Sequence, residues 1–315
     1  MPPSDDASPP SPPKRVLEIH FSQTGQLTRV MDHLVQPLVD QPGVTVERQC
    51  IEMVQPYPFP WPFFRFFDEF PETVAFVTPD IKAIDAAGPY DLIILGYTPW
   101  YLSPAPPVVA FLQSESAAAL FRDTPVVTVT ACRNMWLMAQ YRLNKLIRGL
   151  GGRLLDRIVL ADQGGTAATF ITTPRWMFTG KKDRYLGLFP RAGVAEPEIE
   201  GADTFGRRIN QWLESETSTG DTTRPIANPD PNPPNPMLLL GEFMGLRSFM
   251  IWGALIRLCG RQGRWTRVPI VLFYALFLAC AVVVVLPITM VSLLLLRLVP
   301  AFRRFHNKLV DRVVS

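Results

Sequence analysis

Val16-Leu17-Glu18-Ile19-His20-Phe21-Ser22-Gln23-Thr24-Gly25-Gln26-Leu27-Thr28 reads as a strand, a tight hydroxyl-rich turn and the start of a helix. That order of elements makes an anion site. The first N–H groups of a helix have no intrahelical partner, and they sit at the positive end of its dipole. Ser22, Thr24 and Thr28 add hydroxyl donors, Gly25 lets the backbone come close, and Thr28 is placed to cap the helix. The turn contains no lysine, which argues against a Walker-type nucleotide loop.

Outward from this turn the same rhythm repeats. Apolar runs at residues 15–21, 44–51, 91–95, 125–130 and 153–160 are rich in Val and Ile and mostly do not alternate, as expected of strands buried on both faces. Helical patterns occupy residues 28–39, 108–114, 134–150 and 199–213, and Gly151-Gly152 stops the third of them. Strand–helix alternation predicts right-handed crossovers and an α/β domain over residues 14–214, built on a doubly wound, five-stranded parallel sheet. Residues 52–88 break the rhythm. Four prolines from Pro56 to Pro62 prevent a crossover helix at the start of this segment. The aromatic run that follows reads as a folded loop over one sheet face, or as a wall for a flat or greasy ligand.

Charge and hydropathy divide the chain. The net charge of the 315 residues is +3, but from Gly241 onward ten Lys/Arg face two acidic residues, leaving 21 basic and 26 acidic before it. A mildly acidic body with a basic, apolar tail fits a cytoplasmic domain held at an anionic bilayer better than a nucleic-acid binder. Residues 1–13 are rich in Pro, Ser and Asp without an apolar core, and read as a disordered tail rather than a secretory signal. Residues 215–236 read as a proline-rich extended linker. Residues 237–267 read as an interfacial helix with a basic segment. Residues 268–296 carry no formal charge over 29 positions, more than the roughly 20 a helix needs to cross a bilayer, and the anchor is placed at 268–297. Arginines flank this run on both sides, so the positive-inside rule leaves two topologies: a single span, which is favoured, or a re-entrant hairpin bending near Pro287. The basic tail 298–315 is cytoplasmic or exported accordingly. Cys50, Cys132, Cys259 and Cys280 are scattered and the three histidines do not cluster, so reduced thiols and no metal are expected.

In an open parallel sheet, ligands bind beyond the carboxyl ends of the strands where the strand order reverses. Three loops are expected to meet there: Ser22–Thr28, then Gly96-Tyr97-Thr98-Pro99-Trp100-Tyr101-Leu102-Ser103-Pro104, then Ala131-Cys132-Arg133-Asn134-Met135-Trp136. Ser22-x-Thr24-Gly25 after the first strand, with Asp91-x-Ile93-x-Leu95-Gly96 leading into an aromatic loop, resembles the flavodoxin-like FMN-binding family. The resemblance covers residues 15 to about 213. It implies FMN as cofactor, its phosphate held by Ser22, Gln23, Thr24, Gly25, Gln26, Leu27 and Thr28. It also implies a flavin ring flanked by Thr98, Pro99, Trp100, Tyr101, Cys132, Arg133 and Asn134. Leu27 departs from the pattern, which usually has a hydroxyl residue there, and Thr28 stands as its substitute.

Phe21-Ser22-Gln23-Thr24-Gly25-Gln26-Leu27, Pro58-Phe59-Pro60-Trp61, Pro99-Trp100-Tyr101-Leu102-Ser103-Pro104, Ala131-Cys132-Arg133-Asn134-Met135-Trp136 and Thr179-Gly180-Lys181-Lys182-Asp183 resemble, more narrowly, a bacterial family known as dialkylresorcinol condensing enzymes and discussed as aromatases. That resemblance implies the oxidation of a cyclohexane-dione to a resorcinol by an FMN-dependent oxidoreductase at the inner membrane, acting on a hydrophobic ring substrate, with a possible biosynthetic or redox partner protein. Trp100 or Tyr101 would stack on the ring, Arg133 would stabilise an enolate or the reduced flavin, and Tyr97, Tyr101 or His20 would take a proton. Glu18 and His20 read equally as a satisfied polar pair. Cys132 reads as a reactive thiol beside Arg133, or as a small buried residue at a strand end. The segment 172–190 reads as a basic-aromatic lid or partner surface, or as a solvated face. The remaining functional readings are an NAD(P)H- or quinone-linked flavin reductase, a flavodoxin-type electron carrier, and a flavin-free membrane scaffold.

Overall fold

A computed structural model of the chain describes residues 12–162, 164, 166–219, 236–285 and 291. In chain order the elements are β1 (Lys14–His20), α1 (Gln26–Val39), β2 (Val44–Cys50), α2 (Phe63–Ala75), β3 (Leu92–Tyr97), β4 (Pro99–Trp100), β5 (Ser103–Pro104), α3 (Pro106–Leu112), α4 (Glu115–Phe121), β6 (Pro125–Cys132), α5 (Leu137–Gly149), β7 (Arg153–Ala161), α6 (Thr166–Thr179), α7 (Glu196–Glu200), α8 (Asp203–Thr219), α9 (Pro236–Leu258) and α10 (Val268–Cys280). The main sheet has the order β2-β1-β3-β6-β7, and β4-β5 form a separate ribbon. Every pairing in the main sheet is parallel. Counted by its main strands alone, the order is 2-1-3-4-5, the flavodoxin-like arrangement, with its switch point between β1 and β3.

Burial explains why the strand sequences do not alternate. β3, at the centre, is buried at all six positions, whereas β2, at the edge, is exposed at Thr45, Arg48 and Cys50. Successive side chains of one strand enter different cores. Val16, Leu92, Ile94, Val127 and Val129 pack with Val30, Met31 and Leu34 of α1 and with Ile209 and Trp212 of α8. Leu17, Ile19, Ile93, Leu95 and Val126 pack on the other face with Val108 and Phe111 of α3 and Leu143 and Ile147 of α5. Each such side chain removed from water contributes about 1.5–3 kcal/mol.

Several boundaries depart from the sequence reading. α1 begins at Gln26 behind Gly25, which takes the N-cap position at φ 74° with no side-chain cap, so Thr28 does not cap it. The segment 52–88 is not loop throughout: after the prolines it forms α2, whose buried Phe70 and Val74 lie one turn apart. The third crossover holds two helices, α3 and α4, with the Ser114 hydroxyl capping the second through Ala117 N–H at 3.2 Å. α6 takes residues 166–179, so half of the 172–190 segment is helical. α8 runs on to Thr219, past the expected linker start, and residues 220–235 lie outside the described residues. The expected disordered tail is described only at Pro12 and Pro13, and the end of the anchor and the tail 298–315 also lie outside. Two helices, Leu239–Leu258 and Trp265–Val284, are long and apolar enough to cross a membrane by length and composition.

Candidate functional site

The turn after β1 is open. Gly25 has φ +74°, and a Cβ built there would meet nothing within 4 Å. Ser22 and Thr24 are partly exposed, and no bond among the described residues engages either hydroxyl. With no side-chain cap on α1, its first N–H groups and these two hydroxyls remain for an anion. Leu27 points into the core and is 1% exposed, so its side chain takes no part.

Beneath the turn lies a buried polar chain. Glu18 Oε1 is 2.7 Å from His20 Nδ1, His20 Nε2 is 3.0 Å from Thr28 Oγ1, and Arg48 Nε donates to Glu18 Oε2 at 2.9 Å. Arg48 also pairs with Asp32 at 2.7 Å. The Thr28 hydroxyl thus has the imidazole as a partner inside the protein. The polar-pair reading of Glu18 and His20 matches these contacts. Gly96 on β3 makes room for them, since a Cβ there would fall 2.6 Å from His20 Cβ.

The proline-rich segment folds onto the turn. Gln23 donates from Nε2 to Pro58 O at 3.1 Å and accepts from Trp61 Nε1 at 3.1 Å. Trp61 N–H donates to Met177 O of α6 at 2.8 Å, and Phe59 meets Trp176 edge-on at 6.3 Å. Trp100, on the β4-β5 ribbon, completes an aromatic cluster with Phe21, Tyr57 and Trp61 at centroid distances of 6.2, 5.2 and 5.5 Å. This aromatic cluster stands beside the turn after β1. Tyr57 donates to Glu69 Oε1 at 2.6 Å; burial, then the neighbouring Glu69 carboxylate, pushes the phenol far above its ordinary value. Behind Tyr57, a cavity of about 260 Å³ is lined by Arg65, Glu69, Glu72, Asp80 and Gln262, on the flank away from Ser22–Gly25.

The other expected residues are placed differently. Tyr97 is fully buried and donates to Gln140 Oε1 at 2.9 Å, and burial holds its phenol well above the ordinary range. Tyr101, at φ 49° on the ribbon tip, turns toward Phe66, Phe70 and Phe249 and donates to Phe66 O at 2.6 Å. Both hydroxyls are committed inside the protein, which corrects the expectation that either handles protons at the sheet edge. Thr98 O accepts from Ala105 N, and Pro99 pairs with Pro104, so these two residues build the ribbon carrying Trp100.

Arg133 donates to Thr169 O at 3.3 Å and stacks 4.3 Å over Phe170, so α6 holds its guanidinium. Asn134 is partly exposed in the same loop. Cys132 is half-buried, and burial, with Glu242 near it, raises its thiol despite Arg133, which disfavours the reactive-thiol alternative. Among the described residues, no group of three or more His, Cys, Asp or Glu could hold a metal.

Two site elements escaped the sequence reading. Asp162, at the end of β7, accepts from Gly164 N and Gly193 N at 2.8 Å each. This brings Val194 O to 3.5 Å from Gln26 Nε2, beside the anion turn. The glycines after that strand were the available signal. The second is Glu242 of α9, fully buried, which accepts from Met138 N–H at the start of α5 at 2.8 Å.

No protein-family model matches the chain, and no curated protein matches it. Among solved structures it is similar to a flavoprotein in complex with FMN from Lactobacillus acidophilus, at 15% identity over 46% of this chain and 93% of that one, TM-score 0.36. It is also similar to a flavodoxin from the domain Archaea, at 10% identity over 64% and 99%, TM-score 0.35. A third is rubredoxin oxygen:oxidoreductase from Desulfovibrio gigas, at 11% identity over 66% and 38%, TM-score 0.34. The class of fold, a flavodoxin-like α/β domain followed by two apolar helices, rests on the strand order itself.

Proposed function

We propose that this chain is an FMN-dependent oxidoreductase held at a membrane, acting on a hydrophobic ring substrate. The observation that carries the reading is the uncapped start of α1, with Gly25 open and the Ser22 and Thr24 hydroxyls without a bond among the described residues, beside the Tyr57–Trp61–Trp100 wall at the β1/β3 switch point. These residues fit a phosphate: Ser22, Thr24 and the first N–H groups of α1 would hold it, while Gly25 keeps the approach clear. Gln23 holds the wall against the turn, and Trp100 presents an aromatic surface to the ring. When bound, FMN supplies a two-electron acceptor.

In the finer reading, the substrate is a cyclohexane-dione that loses two electrons and two protons to become a resorcinol, as in dialkylresorcinol-type lipid synthesis. The resemblance of the five motifs to that family supports this reading, and the apolar tail suits a lipidic substrate. The membrane is then a bacterial inner membrane with the flavodoxin-like domain on its cytoplasmic side, anchored through α10 and the apolar residues after it.

The full chain, purified in mild detergent, is expected to show oxidised-flavin absorbance and to bleach anaerobically when an alkylated cyclohexane-dione is added, with resorcinol formed in equal amount. Colourless protein that ignores added FMN overturns the cofactor. Bleaching by NAD(P)H alone marks a reductase, and bleaching only by a partner protein marks an electron carrier.

A further inference from the structure

We propose that α9 does not cross the bilayer but lies in the plane of its surface, as a strut between the flavodoxin-like domain and the lipid. This deepens the membrane-held reading above and rests on it. α9 is apolar enough to span, yet it is fastened to the domain along its length. Near its start Leu239 is 1% exposed and packs with Trp136, Leu137 and Val159, and Glu242 bonds to the first turn of α5. In the middle, Phe249 meets Phe70 at 5.8 Å, and a Cβ on Gly253 would lie 3.3 Å from Pro71 Cα, so the backbones of α9 and α2 are in close approach. At its end Ile256 is fully buried against α2. The turn beyond is fastened too. Gly263 N–H donates to Asp68 at 2.7 Å, and the buried Arg267 pairs with Asp68 and Glu72 at 2.9 and 3.0 Å. A helix of 23 residues extends about 34 Å. Standing it upright in a bilayer would carry α2 and α5, with their charged side chains, into the hydrocarbon.

The face of α9 turned away from the domain has the chemistry of an interfacial helix. Met244, Met250, Ile251 and Leu258 are 51–84% exposed there. Arg247, Arg257, Arg261 and Arg264 are exposed with them, and Glu242, the one acidic residue between 236 and 285, is buried in the domain contact. An apolar face studded with arginine and free of exposed carboxylate is complementary to an anionic lipid surface. The occupant of this face is therefore the bilayer. Because Glu242 ties α9 to α5, the strut also sets the height of the 131–136 loop above the lipid.

The test is a depth measurement on the full chain in vesicles of phosphatidylcholine and phosphatidylglycerol. A ketone-bearing amino acid replaces Met244, Ile251 or Leu258 in turn and is coupled to a nitroxide, leaving the native cysteines untouched. These positions share one face and span about 21 Å along the axis. Power-saturation spectroscopy is expected to give three depths within about 5 Å of one another, all shallow, roughly 5–10 Å below the headgroups. Depths graded by about 20 Å mean that α9 spans, and water-exposed labels mean that it stands clear of lipid; either result, on chain that sediments with the vesicles, overturns the strut alone. Failure to sediment overturns the membrane reading as well. Labels at Met250 and Leu255 repeat the measurement where a first-set label disturbs folding.

Discussion

Two helix starts at the same edge of the sheet are treated in opposite ways. α1 follows β1 and begins behind Gly25 without a side-chain cap; α5 follows β6 and begins behind Trp136, also without a cap of its own. Both expose N–H groups at the positive end of a dipole. At α5 the chain supplies the acceptor itself, the Glu242 carboxylate from 104 residues downstream. At α1 none of the described residues does so. The difference underlies the phosphate proposal: where the chain brings an internal anion the helix start is already paired, and at α1 the hydroxyls and the open glycine are left to the proposed phosphate.

The comparison can be broken most forcefully at Thr24. Thr24→Asp places a fixed negative charge at the open start and removes a hydroxyl donor. It is expected to raise the Kd for FMN about 100-fold, roughly 3 kcal/mol, in a fluorescence titration, with the urea midpoint nearly unchanged. Glu242→Gln, at the other start, should leave that Kd within about threefold, since it is remote from the phosphate contacts and changes less than 1 kcal/mol there. Equal losses from both variants would erase the distinction.

Gly96→Ala probes what supports the open turn from below. The new methyl would fall 2.6 Å from His20 Cβ, forcing β1 and β3 apart, and is expected to cost about 1–3 kcal/mol in urea unfolding. An unchanged midpoint would show that the strands relax freely around the Glu18–His20–Thr28 chain. Glu242→Ala should cost about 1–2 kcal/mol by removing the borrowed cap, with faster hydrogen exchange at Leu137 and Met138 and slow exchange retained in the core of the sheet. Protection unaltered at those amides would mean that α5 does not depend on α9.

The smallest effect belongs to a pair at the outer rim of the open start. Arg29, in the first turn of α1, forms a two-pronged bond with Glu196, and this bond holds the exposed Glu196 carboxyl below its ordinary range. A depressed folded-state value means that the contribution is present above the unfolded value, about 4.3, and is lost as pH falls through the folded one. Glu196→Gln should therefore lower the urea midpoint slightly at pH 7 and not at all near pH 3. A difference that persists in acid would assign the effect to packing instead.

What was legible in the sequence was local. Buried strands announce themselves as unbroken Val/Ile runs, and the five runs became β1, β2, β3, β6 and β7 within a few residues at each end. The turn between β1 and α1 was legible for the same reason, because Gly25 acts through its own backbone. Thr28 does not cap α1, and its hydroxyl lies 3.0 Å from His20, a partner that only the β1–α1 crossing brings near. α2 was hidden by Pro71 inside it, although Phe63, Phe66, Phe67 and Phe70 already held helical spacing. The proton-handling reading of Tyr97 and Tyr101 missed that their hydroxyls are bonded inside the protein. Their nearness to the sheet edge is a matter of chain position, while their burial depends on α2, α5 and α9, which no local pattern couples to them.

The amide of Gln23 has a consequence in time rather than in energy. One side chain donates to Pro58 O and accepts from Trp61, and Trp61 in turn is tied to α6. The segment beside the turn is thus latched at two points that must open together. In the proposed complex this latch holds the aromatic wall beside the phosphate turn, so its opening acts on how long the cofactor stays. Gln23→Ala should shorten that residence, read as a faster off-rate, more than it changes the on-rate.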